Sequence, residues 1–201
     1  MTSGMPRPAR ILSSCAMVHL IGRSNNSMRL FQDADDFTQF RRTILRFVED
    51  KPVYIHHYVF MHTHFHLLAW IEGTSCLASV MKAIAVSYNH YHRRRYRFHG
   101  HIWHSRFRSI IIEDEAHWMA CGRYIEINPV RAGICHKPER YPWSSYQHYA
   151  FGRDDVLLNP VKGRIGCEDW IPDRGSRSYR EFVQAGIAMD QNEMRKYYSK
   201  K

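Results

Sequence analysis

The sequence predicts an α+β fold: a ferredoxin-like, antiparallel β-α-β-β-α-β sheet followed by one extra helix. Three observations predict it. Four short apolar, β-branched or aromatic stretches are separated by two stretches with helical spacing, in that order. The second and third strand candidates are joined by only two residues, His62 and Thr63, a hairpin length. A third helical stretch follows the last strand. In a split β-α-β arrangement both crossover helices cover one face of the sheet, which leaves the other face for the third helix.

Each element has its own signal. Ala16 to Arg23 alternates loosely between apolar and polar residues and reads as a strand, with the polar run Ser24-Asn25-Asn26-Ser27 as a loop behind it. From Asp33 to Val48 a stripe of Phe37, Phe40, Ile44, Leu45 and Val48 has helical period, and Asp33 or Asp35 supplies a capping carboxylate. Pro52 breaks that pattern. Val53 to Met61 is the second strand, and the run from His64 to Ile71 is the third. Ser75 to Arg93 is a second helix with Leu77, Val80, Ile84 and Tyr88 on one side. Phe107 to Glu113 is the fourth strand. Glu115 to Asn128 is the third helix, which Pro129 is expected to stop.

The stretch from Met61 to Ile71 organises the chemistry. A strand has period two, so His64 and His66 share one face while Phe65, Leu67, Ala69 and Ile71 share the other. Two neutral imidazoles side by side on a rigid strand are half of a divalent-metal site. Tyr124 and Asn128 are four apart on the third helix and project together. An amide oxygen is a hard neutral ligand, and a phenol is a covalent nucleophile once a cation favours its oxyanion. The four residues converge only if the third helix crosses the histidine face. The bland readings remain beside these: a satisfied core histidine, an interfacial tyrosine, and an asparagine that ends a helix before proline.

Composition narrows the partners. The chain has 201 residues, 44% of them apolar, enough for a medium core. It carries 29 basic against 19 acidic residues, a formal charge of +10, which suits a nucleic acid or another anionic partner. No apolar run approaches the roughly 20 residues of a membrane span. The start of the chain lacks an apolar segment that would prepare Cys15 for export, so a cytoplasmic protein is expected, nucleoid-associated when bound to DNA. The five cysteines show no paired spacing and read as reduced thiols.

Arg93, Arg94, Arg95, Tyr96, Arg97, Phe98, His99 and His101 form a basic, aromatic stretch read as a loop, with Trp103 just beyond. It is either a solvated charge run or a nucleic-acid surface on which cations track phosphates and rings stack on bases. Arg106 and Arg108 alternate at the following strand and extend the same surface. Tyr141, Trp143 and Tyr146 read as anchors pinning the chain to the core. Residues 151–201 form an extension: a Gly/Asp/Pro-rich stretch, a helical spacing over Tyr179 to Met189, and a polar end from Glu193.

His64-Phe65-His66, the segment from Arg123-Tyr124 through Asn128-Pro129-Val130-Arg131-Ala132-Gly133, the run Gly100-His101-Ile102-Trp103-His104-Ser105-Arg106-Phe107 and the run Tyr141-Pro142-Trp143-Ser144-Ser145-Tyr146 together resemble the single-tyrosine HUH transposases. The REP-associated tyrosine transposases are the nearest group. The resemblance spans residues 1–150 as one domain and fades over 151–201. Met61-His62-Thr63 departs from the family's usual Met-Pro-Asn before the first histidine, and adds His62 near the site. The resemblance implies cleavage and rejoining of single-stranded DNA carrying a hairpin. Tyr124 would be the nucleophile, forming a 5′-phosphotyrosine, and His64, His66 and Asn128 would bind Mg²⁺ or Mn²⁺. It implies Arg93, Arg94, Arg95, Tyr96, Arg97, His101, Trp103, Arg106 and Arg108 as candidates for the DNA surface.

Two other classes compete. A domesticated, non-cleaving hairpin binder would keep the basic surface and not use Tyr124. A zinc hydrolase of the His-x-His-x-Asp-His type needs an aspartate where this chain has Leu68. Some relatives exchange catalytic helices between subunits. The segment before the third helix, Asp114-Glu115, contains no glycine swivel, so a monomeric catalytic unit is expected over a homodimer.

Overall fold

The computed structural model describes residues 15–73, 75–158 and 174–187. Strand β1 (Cys15–Arg23) leads through a 3-10 turn into helix α1 (Ala34–Val48), hairpin β2 (Val53–Met61) and β3 (His64–Glu72), helix α2 (Ser75–Tyr96), strand β4 (Arg108–Ile111) and helix α3 (Glu115–Arg131). Helices α4 (Tyr146–Phe151) and α5 (Arg177–Ala185) follow. The sheet order is β2-β3-β1-β4 with every neighbouring pair antiparallel, the expected split arrangement. Among the described residues no helix is long and apolar enough to cross a membrane. Cys15, Cys76, Cys121 and Cys135 are unbridged, and Cys167 lies outside the described residues.

Strand alternation divides the core in two. Val18, Leu20, Phe60, Phe65, Leu67, Ala69 and Ile71 pack against Phe37, Phe40 and Ile44 of α1 and Leu77, Ile84 and Tyr88 of α2. Met17, Val59, Met61, Leu68 and Trp70 on the opposite face pack against Trp118, Cys121 and Ile125 of α3. A bulge between Ile55 and His57 shifts the parity of β2, so that His57, Val59 and Met61 face α3. The capping reading holds at α1, where the Asp33 carboxylate accepts from the backbone of Asp35 and Asp36 at 3.1 and 3.2 Å.

Three boundaries differ from the sequence reading. Helix α2 continues to Tyr96, so Arg93 to Tyr96 are helical rather than loop. Strand β4 starts at Arg108, which leaves Arg106 in the preceding loop. Helix α3 runs through Pro129 to Arg131. A proline in the last turn of a helix removes one backbone donor and clashes with a single carbonyl, and the true stop lies further on. Ile134 N–H bonds to Pro129 O at 2.9 Å, Gly133 N–H to Val130 O at 3.0 Å, and Gly133 has φ +68°, a glycine-terminated cap.

Tyr141, Trp143 and Tyr146 do pin the chain back. The segment runs along the free edge of β2, with Phe60 N–H bonded to Trp143 O and Ser145 N–H to Tyr58 O. The Tyr141 hydroxyl donates to Phe60 O, and Trp143 stacks on Phe37 with centres 4.7 Å apart. The extension's helix is α5; it packs on α3 and α4. Met189 and the polar end from Glu193 lie outside the described residues.

Candidate active site

Helix α3 crosses the histidine face, and four side chains meet there. His64 and His66 lie opposite Arg23 and Ile21 of β1, and their rings are 5.2 Å apart and nearly perpendicular. Tyr124 stands edge-on to His66, with ring centres at 5.5 Å. Asn128, one turn on, hydrogen-bonds both the Tyr124 phenol and the His64 ring. A single amide can serve both because one end donates and the other accepts. The four residues singled out from the sequence therefore form one constellation within one chain.

Burial sets the electrostatics. Desolvation pushes His64 down to about 4 and His66 well below the usual histidine range; Arg23 adds to both, and neighbouring imidazoles add to His66. Both rings are thus neutral at physiological pH and present lone pairs. Nε2 of His66 is buried and has no hydrogen-bond partner in the protein. Burial also raises the Tyr124 phenol; the Asn128 hydrogen bond and the charges of Arg23 and Arg131 work against it. The phenol is neutral at rest and sits among groups that favour its anion. The donor set fits an open divalent-cation site: two neutral imidazoles, one with a buried lone pair left over, and one amide. Among the described residues no group of three His, Cys, Asp or Glu side chains is arranged to hold a metal, so the amide is an integral part of any such site. His62 turns elsewhere: its Nδ1 is 2.8 Å from Phe31 O and its ring meets Phe37 edge-on.

The sequence reading missed the groups that hold this constellation. His19 of β1 lies edge to edge with His66, ring centres 5.1 Å apart, and its Nε2 reaches the His66 Nδ1 at 2.9 Å. Burial drives His19 to about 3, helped by His117 and Arg108. Its signal was a polar residue in the middle of an apolar strand, on the parity of Met17. Behind α3, Glu126 is fully buried and accepts from the Ser145 hydroxyl at 2.7 Å and the Tyr179 hydroxyl at 2.6 Å. Its Oε1 is also 3.0 Å from His57 Nδ1. Glu126 lies two residues from both Tyr124 and Asn128 and faces away from them. It ties their helix to β2, to the 141–145 segment and to α5.

The basic stretch separates into four settings. Arg93, Arg94 and Arg97 are exposed and line a shallow hollow of about 630 Å³ with Phe98 and His99. Arg95 pairs with Asp33 and Asp36, both at 2.6 Å, and the Tyr96 hydroxyl donates to Asp36 at 2.6 Å. These two side chains thus tie α2 to the start of α1. His101, Trp103 and Arg106 line a groove of about 510 Å³ with Lys82 and Phe65, on the α1/α2 side of the sheet. Arg108 stands opposite Ile21, on the α3 side near His19, so Arg106 and Arg108 do not form one surface.

The family described as "Transposase IS200 like" matches residues 13–128. No curated protein matches. A solved structure of a REP-associated tyrosine transposase bound to a REP hairpin is 18% identical, with a TM-score of 0.63 over 79% of this chain and 97% of that one. A structure from Deinococcus radiodurans R1 with a provisional transposase description is 11% identical, with a TM-score of 0.42 over 56% and 91% of the two chains. The first likeness is one of fold.

Proposed function

The chain belongs to the IS200-like transposase family, whose match covers more than half of it, and from that premise we propose that it nicks and rejoins single-stranded DNA flanking a hairpin, through a covalent bond to Tyr124. The observation that carries the reading is the placement of Tyr124 edge-on to His66 at 5.5 Å, bridged to His64 by Asn128. A phenol, two neutral imidazoles and an amide gathered in one place are the groups that metal-assisted cleavage would use. The hairpin in the reading comes from the fold relative, which was solved on one.

His64, His66 and Asn128 would hold Mg²⁺ or Mn²⁺. The ion would supply Lewis acidity toward the scissile phosphate oxygens and offset charge in the transition state. The protein does the rest. The rigid strand β3 and helix α3 fix the phenol relative to the phosphate, which replaces a search by a held geometry. Arg23 and Arg131 favour the oxyanion of Tyr124 as its proton leaves. The phenol's proton passes to solvent; the phenolate oxygen bonds to phosphorus as the bond to the 3′ oxygen breaks; that oxygen takes up a proton from solvent and leaves as a hydroxyl, and the 5′ phosphate stays on Tyr124. The free hydroxyl reverses the step on the same or another end, so strands are rejoined without ATP. Tyr124 standing beside His66 of its own chain supports a monomeric catalytic unit. The exposed Arg93, Arg94 and Arg97 and the aromatic groove with Trp103 and Arg106 are the surfaces that suit hairpin and unpaired bases.

The test is a denaturing gel. Labelled single-stranded DNA with a hairpin from the gene's own flanks is incubated with Mn²⁺ or EDTA, beside Tyr124→Phe. A slow-migrating protein–DNA adduct that needs both Mn²⁺ and Tyr124 is expected. Hairpin binding with no adduct would instead identify a non-cleaving binder.

A further inference from the structure

His19 has no part in the reaction proposed above, yet it is fully buried and its Nε2 lies 2.9 Å from Nδ1 of His66. The rings around His66 leave it little freedom. His19 meets its Nδ1 edge with the two rings inclined by 28°, while the rings of Tyr124 and His64 stand nearly perpendicular to it at 89° and 87°. What remains to be set is the position of one proton. Between two neutral imidazoles only one proton fits, so the pair has two forms. When His19 donates, His66 carries its own proton on Nε2 and turns an N–H toward the site. When His66 donates from Nδ1, its Nε2 presents a lone pair and His19 carries its proton on Nδ1. A cation at the site accepts only the second form.

We infer that His19 is a positioning residue: it accepts the Nδ1–H of His66 and so fixes the tautomer and ring orientation that turn Nε2 toward a divalent cation. The inference rests on the metal site proposed above and assigns the nitrogen that serves it. Nε2 of His66 is the buried atom with no hydrogen-bond partner in the protein, as a nitrogen reserved for a ligand would be. His19 is not itself the ligand through Nε2, since that atom is engaged by His66. Partners that orient a ligating histidine through its second nitrogen commonly change metal affinity by about 10- to 100-fold when removed.

The test compares the unaltered protein with His19→Leu and His19→Gln. Mn²⁺ affinity is measured by calorimetry, hairpin-DNA binding is measured in EDTA, and the His66 tautomer is read from ¹⁵N spectra of the metal-free and Mg²⁺-loaded protein. The expected result is an Nδ1–H tautomer at His66 in the unaltered protein. Mn²⁺ affinity should fall about 10- to 100-fold in His19→Leu and recover in His19→Gln, whose amide oxygen accepts the same hydrogen bond. Hairpin binding in EDTA should be equal in all three. An Nε2–H tautomer in the Mg²⁺-loaded protein would overturn the inference, as would unchanged Mn²⁺ affinity in His19→Leu. If His19→Leu does not fold, the His66 tautomer and the His19→Gln affinity decide. Failure of the unaltered protein to bind Mn²⁺ brings down the metal site itself, whereas metal binding that ignores His19 brings down only this role.

Discussion

Gly122 of α3 lies so close to His57 of β2 that a Cβ on the glycine would meet the imidazole Nε2 at 2.9 Å. The ring cannot step aside, because Glu126 holds its Nδ1 and Tyr149 stacks on it at 4.4 Å. Helix α3 owes its seat on the sheet to this missing side chain. Gly122→Ala gains up to about 1 kcal/mol of helix propensity, but overpacking costs about 1–3 kcal/mol. The variant is expected to be less stable in urea, and adduct formation should fall more than hairpin binding because Tyr124 rides on the displaced helix. Equal stability of the two proteins would show that the helix docks less tightly than this.

Tyr179 should matter although it is 55 positions from Tyr124. Its hydroxyl is one of the donors to the buried Glu126 carboxylate. Tyr179→Phe takes one donor from a buried carboxyl group, at a cost of about 1–3 kcal/mol. Chemical denaturation reads this directly. No change would mean that α5 does not sit on α3 in solution.

Asp36 gives the fold an acid sensitivity of known sign. Burial works to raise its pKa, but hydrogen bonds from Tyr96, the Gln32 backbone and Tyr91, with the charge of Arg95, outweigh it and hold the carboxyl below its ordinary value. A depressed folded-state pKa contributes stability that is present above the unfolded value, near 3.8, and is lost as pH falls through the lower folded value. Asp36→Ala should cost about 2 kcal/mol at pH 7, a figure kept modest because the Arg95 end reaches solvent. The gap between the two proteins should narrow below about pH 4, where melting curves would show it.

The arginines of α2 and its C-terminal end should divide by role. Replacing Arg93, Arg94 and Arg97 by alanine should weaken hairpin binding and flatten its salt dependence by about 0.7–0.9 in log–log slope for each phosphate no longer neutralised. Arg95→Ala should leave that slope alone and lower stability, since its guanidinium is held by Asp33 and Asp36. A slope that moves with Arg95 would place that residue on DNA.

Period and spacing carried most of this fold. The strand parity of His64 and His66 and the four-residue spacing of Tyr124 and Asn128 are local properties, and the topology follows from element order. What escaped was of two kinds. Where two signals competed, the more conspicuous one misled: Pro129 looks like a stop, yet Gly133 supplies the left-handed residue that ends α3. Where a partner lies far off in sequence, one chain position carries no trace of it. Nothing beside Arg95 announces Asp36, and nothing beside Glu126 announces His57, Ser145 and Tyr179. His19 belongs to both kinds: a polar residue inside an apolar strand is visible, but not the histidine it meets 47 positions later.

The groups that satisfy Glu126 come from positions 57, 145 and 179, before and well after the carboxylate itself. On the ribosome they arrive in that order. A nascent chain that has already exposed Tyr124 and both site histidines still lacks the Tyr179 hydroxyl, so the helix that carries Tyr124 receives this anchor only after 55 further residues have been added.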